Sequence, residues 1–458
     1  MTDKTTPKIL IVDLVGLAPG PEGRPDHSAV TAHVADRGGV FHEGSARDLP
    51  SVAGKPNFYY LPMLSTEDEL LAEAGDGLYD AVIAAATFLP AGARFDLGGV
   101  RIGAGTGNMG SASWGGGDGR GGVAPLMNTP GINARATAQM VMKALLAVRP
   151  DLPVAEMNAL VAAGDFDTGR DLVRFPTAKL EGMTFAVIGY GNIGREVAKL
   201  ARAFGMNVRI FARPRHRDWI EGEGFLWADT PVAAATGADA ISVHLGLGPK
   251  GPEGFANAGM IGTGVLAALA PGAVVINYDR GELVDVPALG AALASGQVGH
   301  AAIDADLFSD RDTGALSGPM APYLSLLPDH AAKLSLLPHA AADTDHPTRV
   351  AGAKQAVDQI LDAIRNGVVR NLKGDLPEGY ADGGTIRPKG MGGIGSATLA
   401  ALAEGGEARA IQTLAAELAA RMDALLAGKA PDTAAILMAA NRLTSALRDA
   451  GIEGSPEA

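Results

Sequence analysis

TFAVIGYGNIGREVAKLARAFGMNVRIFARPRHR, residues Thr184–Arg217, is the stretch whose reading decides the fold. Phe185–Ile188 is an apolar run of strand length, of the kind buried on both faces in a parallel sheet. Gly189, Gly191 and Gly194 follow in GxGxxG spacing. Val197, Leu200, Ala201 and Phe204 then recur at helical spacing until Gly205 stops the helix. Val208–Phe211 reads as a second short strand. Strand, glycine turn, helix, strand is the setting in which this spacing marks a dinucleotide site and not a bare βα turn. Gly189 permits the tight turn, Gly191 lets the backbone approach a pyrophosphate, and Gly194 lets the helix pack close to the strand. Asn192 and Ile193 open the helix, where free N–H groups and the positive end of the dipole face the phosphates.

The residues after the second strand bear on which dinucleotide is bound. An acid about 20 residues beyond the glycines usually receives the ribose 2′-hydroxyl of NAD. Here that place holds Ala212, followed by Arg213, Pro214, Arg215, His216 and Arg217. No carboxylate stands there to repel a 2′-phosphate, and planar guanidinium groups suit one. The expectation is NADP in preference to NAD; the bland alternative is a solvated basic loop.

The 458 residues suggest two or three domains, and the hydrophobic content of 47% supports full cores. A net charge of −13 argues against a nucleic-acid or anionic-membrane partner, both of which need a basic surface. With no cysteine, disulfides, thiolate catalysis and Cys-ligated metal are excluded. The N-terminal MTDKTTPKILIVDL has no signal-peptide core, and no apolar run reaches bilayer-spanning length, so the cytoplasm is the expected location.

Around the glycine motif the pattern extends both ways. Strands are expected at Lys8–Asp13, Val40–Glu43, Asp80–Ala85, Val100–Gly103 and Ala124–Met127, with helices at Ser28–Arg37 and Thr66–Ala74. That alternation implies a parallel sheet. Helices at Asn133–Arg149 and Leu152–Gly164 lead into the glycine motif. Strands at Asp239–Val243, Ala273–Asn277 and Gly299–Ile303 complete a second unit. The fold class is therefore α/β: two doubly wound parallel-sheet domains, Rossmann-like and flavodoxin-like, with a cleft between them. Residues 1–129, completed by 345–382, form the first domain and 130–344 the second. Residues 383–458 are a linker and a helical extension, with amphipathic helices at Glu407–Ala427 and Asp432–Asp449.

Several blocks in order resemble the D-2-hydroxyacid dehydrogenase family, which includes phosphoglycerate, glycerate, D-lactate and formate dehydrogenases. They are GAGTGN at Gly103–Asn108, MNTPGIN at Met127–Asn133, ISVHLGL at Ile241–Leu247, the Ile276–Phe308 stretch containing NYDRGELVD, and LLPHAAADT at Leu336–Thr344. The resemblance implies an NAD(P)-dependent oxidoreductase that moves a hydride between a nicotinamide and a small 2-keto or 2-hydroxy acid, working as a homodimer. It implies Arg280 as the cation that holds the substrate carboxylate and polarises the carbonyl, and His339 as the acid/base. Gly105, Thr106 and Asn108 would be loop contacts to the carboxylate, and Asp304 would steady the nicotinamide end of the cofactor. His244 would be structural or a cofactor-edge contact.

The chain departs from the family pattern at three places. Ser309 stands where the family has the glutamate that pairs with the histidine, which leaves Asp306 or Asp310 to replace it. Gly103 stands where the phosphoglycerate enzymes have an arginine beside the phosphate, so that substrate is not expected. SASWGGGDGRGG, Ser111–Gly122, replaces a short helix and reads as a loop at the substrate entrance, with Trp114 and Arg120 as candidate contacts. Two alternatives follow: a dinucleotide-gated binding platform of the corepressor kind, or a formate-dehydrogenase-like activity.

Overall fold

The structure is a computed structural model that describes residues 5–114, 122–148, 153–252, 254–310, 313–339, 344–386, 407–428 and 433–449. It divides into two compact units, Met1–Thr385 and Ile386–Ala458.

Two seven-stranded sheets build the first unit. The first sheet contains β1 (Lys8–Ile11), β2 (Val40–His42), β3 (Asn57–Tyr60), β4 (Ala81–Ala84), β5 (Gly98–Arg101) and β6 (Leu126–Asn128), in the order β2-β3-β1-β4-β5-β6, all parallel. Helices α1 (Ser28–Asp36) and α2 (Glu67–Ala74) belong to it. Thr66 and Glu69 close a reciprocal capping box at the start of α2. The strand β3 was not expected from the sequence. Its residues NFYY are buried throughout and sit between β1 and β2, so the edge strand is displaced one place outward.

Helix α3 (Ala134–Val148) follows β6 but packs on the second sheet. Its Ala138, Val141, Met142 and Leu145 share a core with Phe185, Val187, Val197 and Ala201. That sheet contains β7 (Thr184–Ile188), helix α4 (Asn192–Ala203), β8 (Asn207–Phe211), β9 (Leu226–Ala228), β10 (Ala240–Val243), β11 (Ala273–Asn277), β12 (Val298–Ala305) and β13 (Leu334–Pro338). The order is β13-β12-β11-β10-β7-β8-β9, again all parallel. The order reverses between β7 and β10, and the crevice at such a switch point is where open α/β sheets bind ligands.

The chain then returns to the first sheet. Helix α5 (His346–Asn366) is capped at one end by Asp345, whose side chain accepts from Thr348 N at 3.0 Å, and ends at Gly367 with φ of 65°. Its Ala353, Val357, Ile360 and Ile364 are buried against Ile9, Phe58, Ile83 and Val100, each aliphatic side chain contributing about 1.5–3 kcal/mol. Strand β14 (Leu372–Lys373) adds antiparallel to β6. In the second unit, α6 (Glu407–Leu426) and α7 (Thr433–Asp449) pair with each other. Arg442 reaches Glu417 at 2.8 Å and Arg421 joins it at 2.9 Å. Among the described residues no helix is long and apolar enough to cross a membrane.

Candidate active site

The three glycines do different things. Gly189 has φ of 103°, and a β-carbon there would collide with the carbonyl of His244, so β7 and β10 approach to backbone contact at the switch point. A β-carbon on Gly194 would collide with the carbonyl of Gly189, which is how α4 comes so close to β7. At Gly191 a β-carbon would meet nothing within 4 Å. That open space lies at the N-cap of α4, where among the described residues no side chain caps the N–H groups of the first turn at Asn192, Ile193 and Gly194. The cradle fits a pyrophosphate.

Beyond β8, Arg213 and Arg215 are exposed and make no ion pair among the described residues. Arg217 differs: its Nε is 2.9 Å from Glu221 and its guanidinium lies over Trp227. His216 is held below its ordinary range by burial and by Arg213 and Arg215. His244 is buried with Nε2 on Ser242 Oγ at 2.7 Å, while Nδ1 has no partner among the described residues. Burial pushes its pKa down to about 3, so the ring is neutral.

The carboxyl ends of β11, β12 and β13 bring three groups together. Arg280 follows β11 and caps a 3₁₀ turn at Gly281–Leu283. Asp304 lies in the last turn of β12 and is 4% exposed at its side chain. His339 follows β13, and its Nδ1 is 2.8 Å from Asp304 Oδ1. Parallel pairing places Asp304 beside Leu337, two residues before the histidine. Burial lowers the imidazole pKa, but the hydrogen bond and charge of Asp304, with Asp306 behind, outweigh it and hold the group above its usual range. The carboxylate partner of the histidine is therefore Asp304, and the expectation for Asp310 is corrected. Phe308–Ser309 pairs with Leu316–Ser317 as a small hairpin, and the Asp310 carboxylate accepts from Thr313 N and Oγ1, both at 2.7 Å, within that turn. Asp304, expected as a nicotinamide contact, is seen here as the partner of the histidine.

From the other lobe comes the loop Gly103–Asn108. A β-carbon at Gly105 would collide with Arg280 Nη2, so this guanidinium spans the cleft and reaches the loop. Among the described residues no acceptor takes the backbone N–H groups of Ala104 through Asn108. The loop is held by other atoms. Asn108 Nδ2 donates to Ala85 O and Thr87 O at 3.1 and 2.8 Å, Asn128 Nδ2 to Ala104 O at 2.6 Å, and Gly103 N to Thr129 Oγ1 at 2.7 Å. Asp13, after β1, fixes the neighbouring turn by accepting from Ala85 N and Thr87 N. The Asn108 side chain thus shapes the loop, while the backbone at Gly105 and Thr106 is left to meet an anion.

Two further expectations change. Trp114 is folded inward, with Nε1 donating to Met109 O at 2.9 Å and its ring stacked on Phe95, so it is a packing residue. Arg120 lies outside the described residues. Sequence reading missed Arg101, at the end of β5. Its guanidinium lies across Gly103, where a β-carbon would collide with Nη1, and its Nε is 3.4 Å from Asn108 Oδ1. A guanidinium thus lies beside Gly103, supplied from two residues earlier in the chain.

A glycine-rich turn at one switch point thus shares a two-lobed unit with an open backbone loop and a guanidinium–imidazole–carboxylate set. Residues 145–322 match the family described as D-isomer specific 2-hydroxyacid dehydrogenase, NAD binding domain. Glyoxylate reductase of Thermococcus litoralis is 33% identical over 180 residues, 39% of this chain and 52% of that protein. D-3-phosphoglycerate dehydrogenase of Methanocaldococcus jannaschii is 30% identical over 247 residues, 54% of this chain and 42% of that one. The chain thus spans about half the length of these curated relatives. Among solved structures, a glyoxylate reductase from Paecilomyes thermophila superposes with a TM-score of 0.52 at 20% identity, covering 80% of this chain and 98% of that one. An acyclic imino acid reductase in complex with NADPH and D-Arg gives 0.52 at 19% identity, covering 78% and 97%. At these identities the superpositions establish the fold. Residues 145–322 are thus similar to the NAD-binding domain of the D-isomer-specific 2-hydroxyacid dehydrogenases.

Proposed function

We propose that this chain reduces a small 2-keto acid to the 2-hydroxy acid, reversibly, with NADPH preferred over NADH. The observation that carries the reading is Arg280 reaching across the cleft to Gly105 while His339, on the neighbouring strand end, rests on Asp304. The nicotinamide, when bound, supplies the hydride. Gly189, Gly191, Asn192, Ile193 and Gly194 would hold the pyrophosphate, with Arg213 and Arg215 at the 2′-phosphate and His244 at the cofactor edge.

The remaining work falls to side chains of this protein. Arg280 and the open N–H groups at Gly105 and Thr106 bind the substrate carboxylate, and Arg280 draws electron density from the carbonyl. His339, as the imidazolium, gives its Nε2 proton to the oxygen as negative charge develops there. Asp304 fixes the ring through Nδ1 and stabilises the charged form before the transfer. In the oxidative direction the neutral imidazole takes the proton back. The partner is thus a small 2-keto or 2-hydroxy acid, and the family's homodimer is the expected assembly, checked by light scattering.

Steady-state NADPH oxidation with glyoxylate, hydroxypyruvate, pyruvate and larger keto acids tests the activity. Turnover of at least one acid is expected. Tight NADPH binding with none turned over would favour the non-catalytic platform. The cofactor preference is tested by Arg213→Ala and Arg215→Ala. Each should raise the KM for NADPH by about tenfold and leave that for NADH nearly unchanged, since a charge-assisted phosphate contact contributes about 1.5–3 kcal/mol. A wild-type preference for NADH would contradict it.

A further inference from the structure

Asp279 directly precedes Arg280, and nothing above assigns it a role. The turn that carries both is locked by Asn277. Its Nδ2 donates to Arg280 O at 2.8 Å, and its Oδ1 accepts from Asp279 N at 3.3 Å. The Asp279 side chain is 19% exposed, and its Oδ1 lies 3.8 Å from Arg280 Nε, just beyond a hydrogen bond. Among the described residues no N–H or O–H donates to this carboxyl, an unusual state for a mostly buried acid.

The groups facing it come from three strand ends: Arg280 from its own turn, Asp304 from β12, and His339 from beyond β13. Burial pushes its pKa up to about 7, Arg280 and His339 pull it partly back, and Asp304 pushes it up again. Near neutral pH it therefore exists in both forms.

Arg280 Nη2 points at Gly105, and two edges that include it can grip a carboxylate in the two-point fashion: Nε with Nη2, and Nη1 with Nη2. Asp279 stands at Nε. We propose that Asp279 is a positioning residue that sets how firmly Arg280 holds the substrate: its ionised carboxylate competes with the substrate carboxylate for the Nε edge, and its protonated form leaves that edge to the substrate. The proposal rests on Arg280 being the substrate clamp. It concerns substrate capture, while the proton transfer stays with His339 and Asp304.

The test compares the full-length protein with Asp279→Asn and Asp279→Glu. KM and kcat for the best keto acid are measured across pH, together with the Kd of oxamate, a non-reducible analogue, for the protein with NADPH bound. From about pH 6 to about pH 8.5 the ratio of wild-type KM to Asp279→Asn KM should climb about fivefold or more, because Asp279 ionises over that span. The oxamate Kd ratio should move in parallel, the kcat ratio should stay within about twofold, and Asp279→Glu should restore the wild-type trend. A KM ratio that stays constant with pH, or a pH effect confined to kcat, overturns the proposal. If Asp279→Asn does not fold by circular dichroism, Asp279→Ser takes its place and must give the same divergence. Absence of wild-type turnover and of oxamate binding would sink the clamp reading first, whereas turnover with a constant ratio sinks only the role of Asp279.

Discussion

Single side chains settle the chemistry, and His339 is the plainest case. Its Nδ1 is 2.8 Å from Asp304, and that carboxylate keeps the ring charged at higher pH than usual. The proposed reduction needs the imidazolium, so its rate should be full below the raised pKa and lost as pH climbs through it. Asp304→Asn removes the support. The alkaline limb of the kcat profile should shift to lower pH by about one unit, with kcat down about tenfold or more. An unchanged limb would mean that Asp304 does not tune the histidine. Arg101 belongs at the same scale. Arg101→Met should raise KM about fivefold or more for keto acids with a second anionic group, a loss of about 1 kcal/mol or more, and barely change it for glyoxylate. Equal effects on both would assign Arg101 to the loop alone. The sequence made Arg280 and His339 legible because each sits in a block with recognisable neighbours. It hid Arg101 and the Asp304 contact because reach across a turn or between strand ends depends on three-dimensional register. Ser309 brings no carboxylate, and the acid that rests on His339 lies on the strand end already in view.

Elements position those residues, and the glycine turn shows how. Gly191 has open space around it, while Gly194 is pressed on the Gly189 carbonyl. Gly191→Ala should therefore fold with nearly unchanged Tm and bind NADPH about tenfold or more weakly. Gly194→Ala should lose about 1–3 kcal/mol of stability, since α4 must shift away from β7. Thermal melts with and without NADPH distinguish the two; equal destabilisation by both would contradict the division of roles. The strand–turn–helix around these glycines was readable because its periodicity changes abruptly at Gly189. The strand β3 was not, since NFYY is only four residues between Pro56 and Leu61–Pro62, too short to show alternation. Likewise β9, with only Leu226–Ala228, carries no pattern of its own and is defined by pairing with β8.

At the scale of the molecule, two parallel sheets present their strand ends to one cleft. In the first sheet the order reverses between β1 and β4, where Asp13 ties the two strand ends beside the anion loop. In the second it reverses between β7 and β10, where the dinucleotide cradle lies. Arg280 is the side chain seen to cross between them. Composition and alternation were enough to read two such sheets, because each helix and strand alternates as βα units must. They could not show that α3, which follows the first sheet, would pack on the second, since its apolar stripe suits either. The central claim is that Arg280 and His339 deliver substrate and proton to a carbonyl placed for hydride capture. The most direct measurement is mass spectrometry of the hydroxy acid made from glyoxylate and NADPH deuterated at nicotinamide C4. Deuterium should appear at carbon 2 of the product with the wild-type protein and fall by about a hundredfold or more with Arg280→Met and His339→Gln. No label with the wild type, or equal label with the variants, would contradict it.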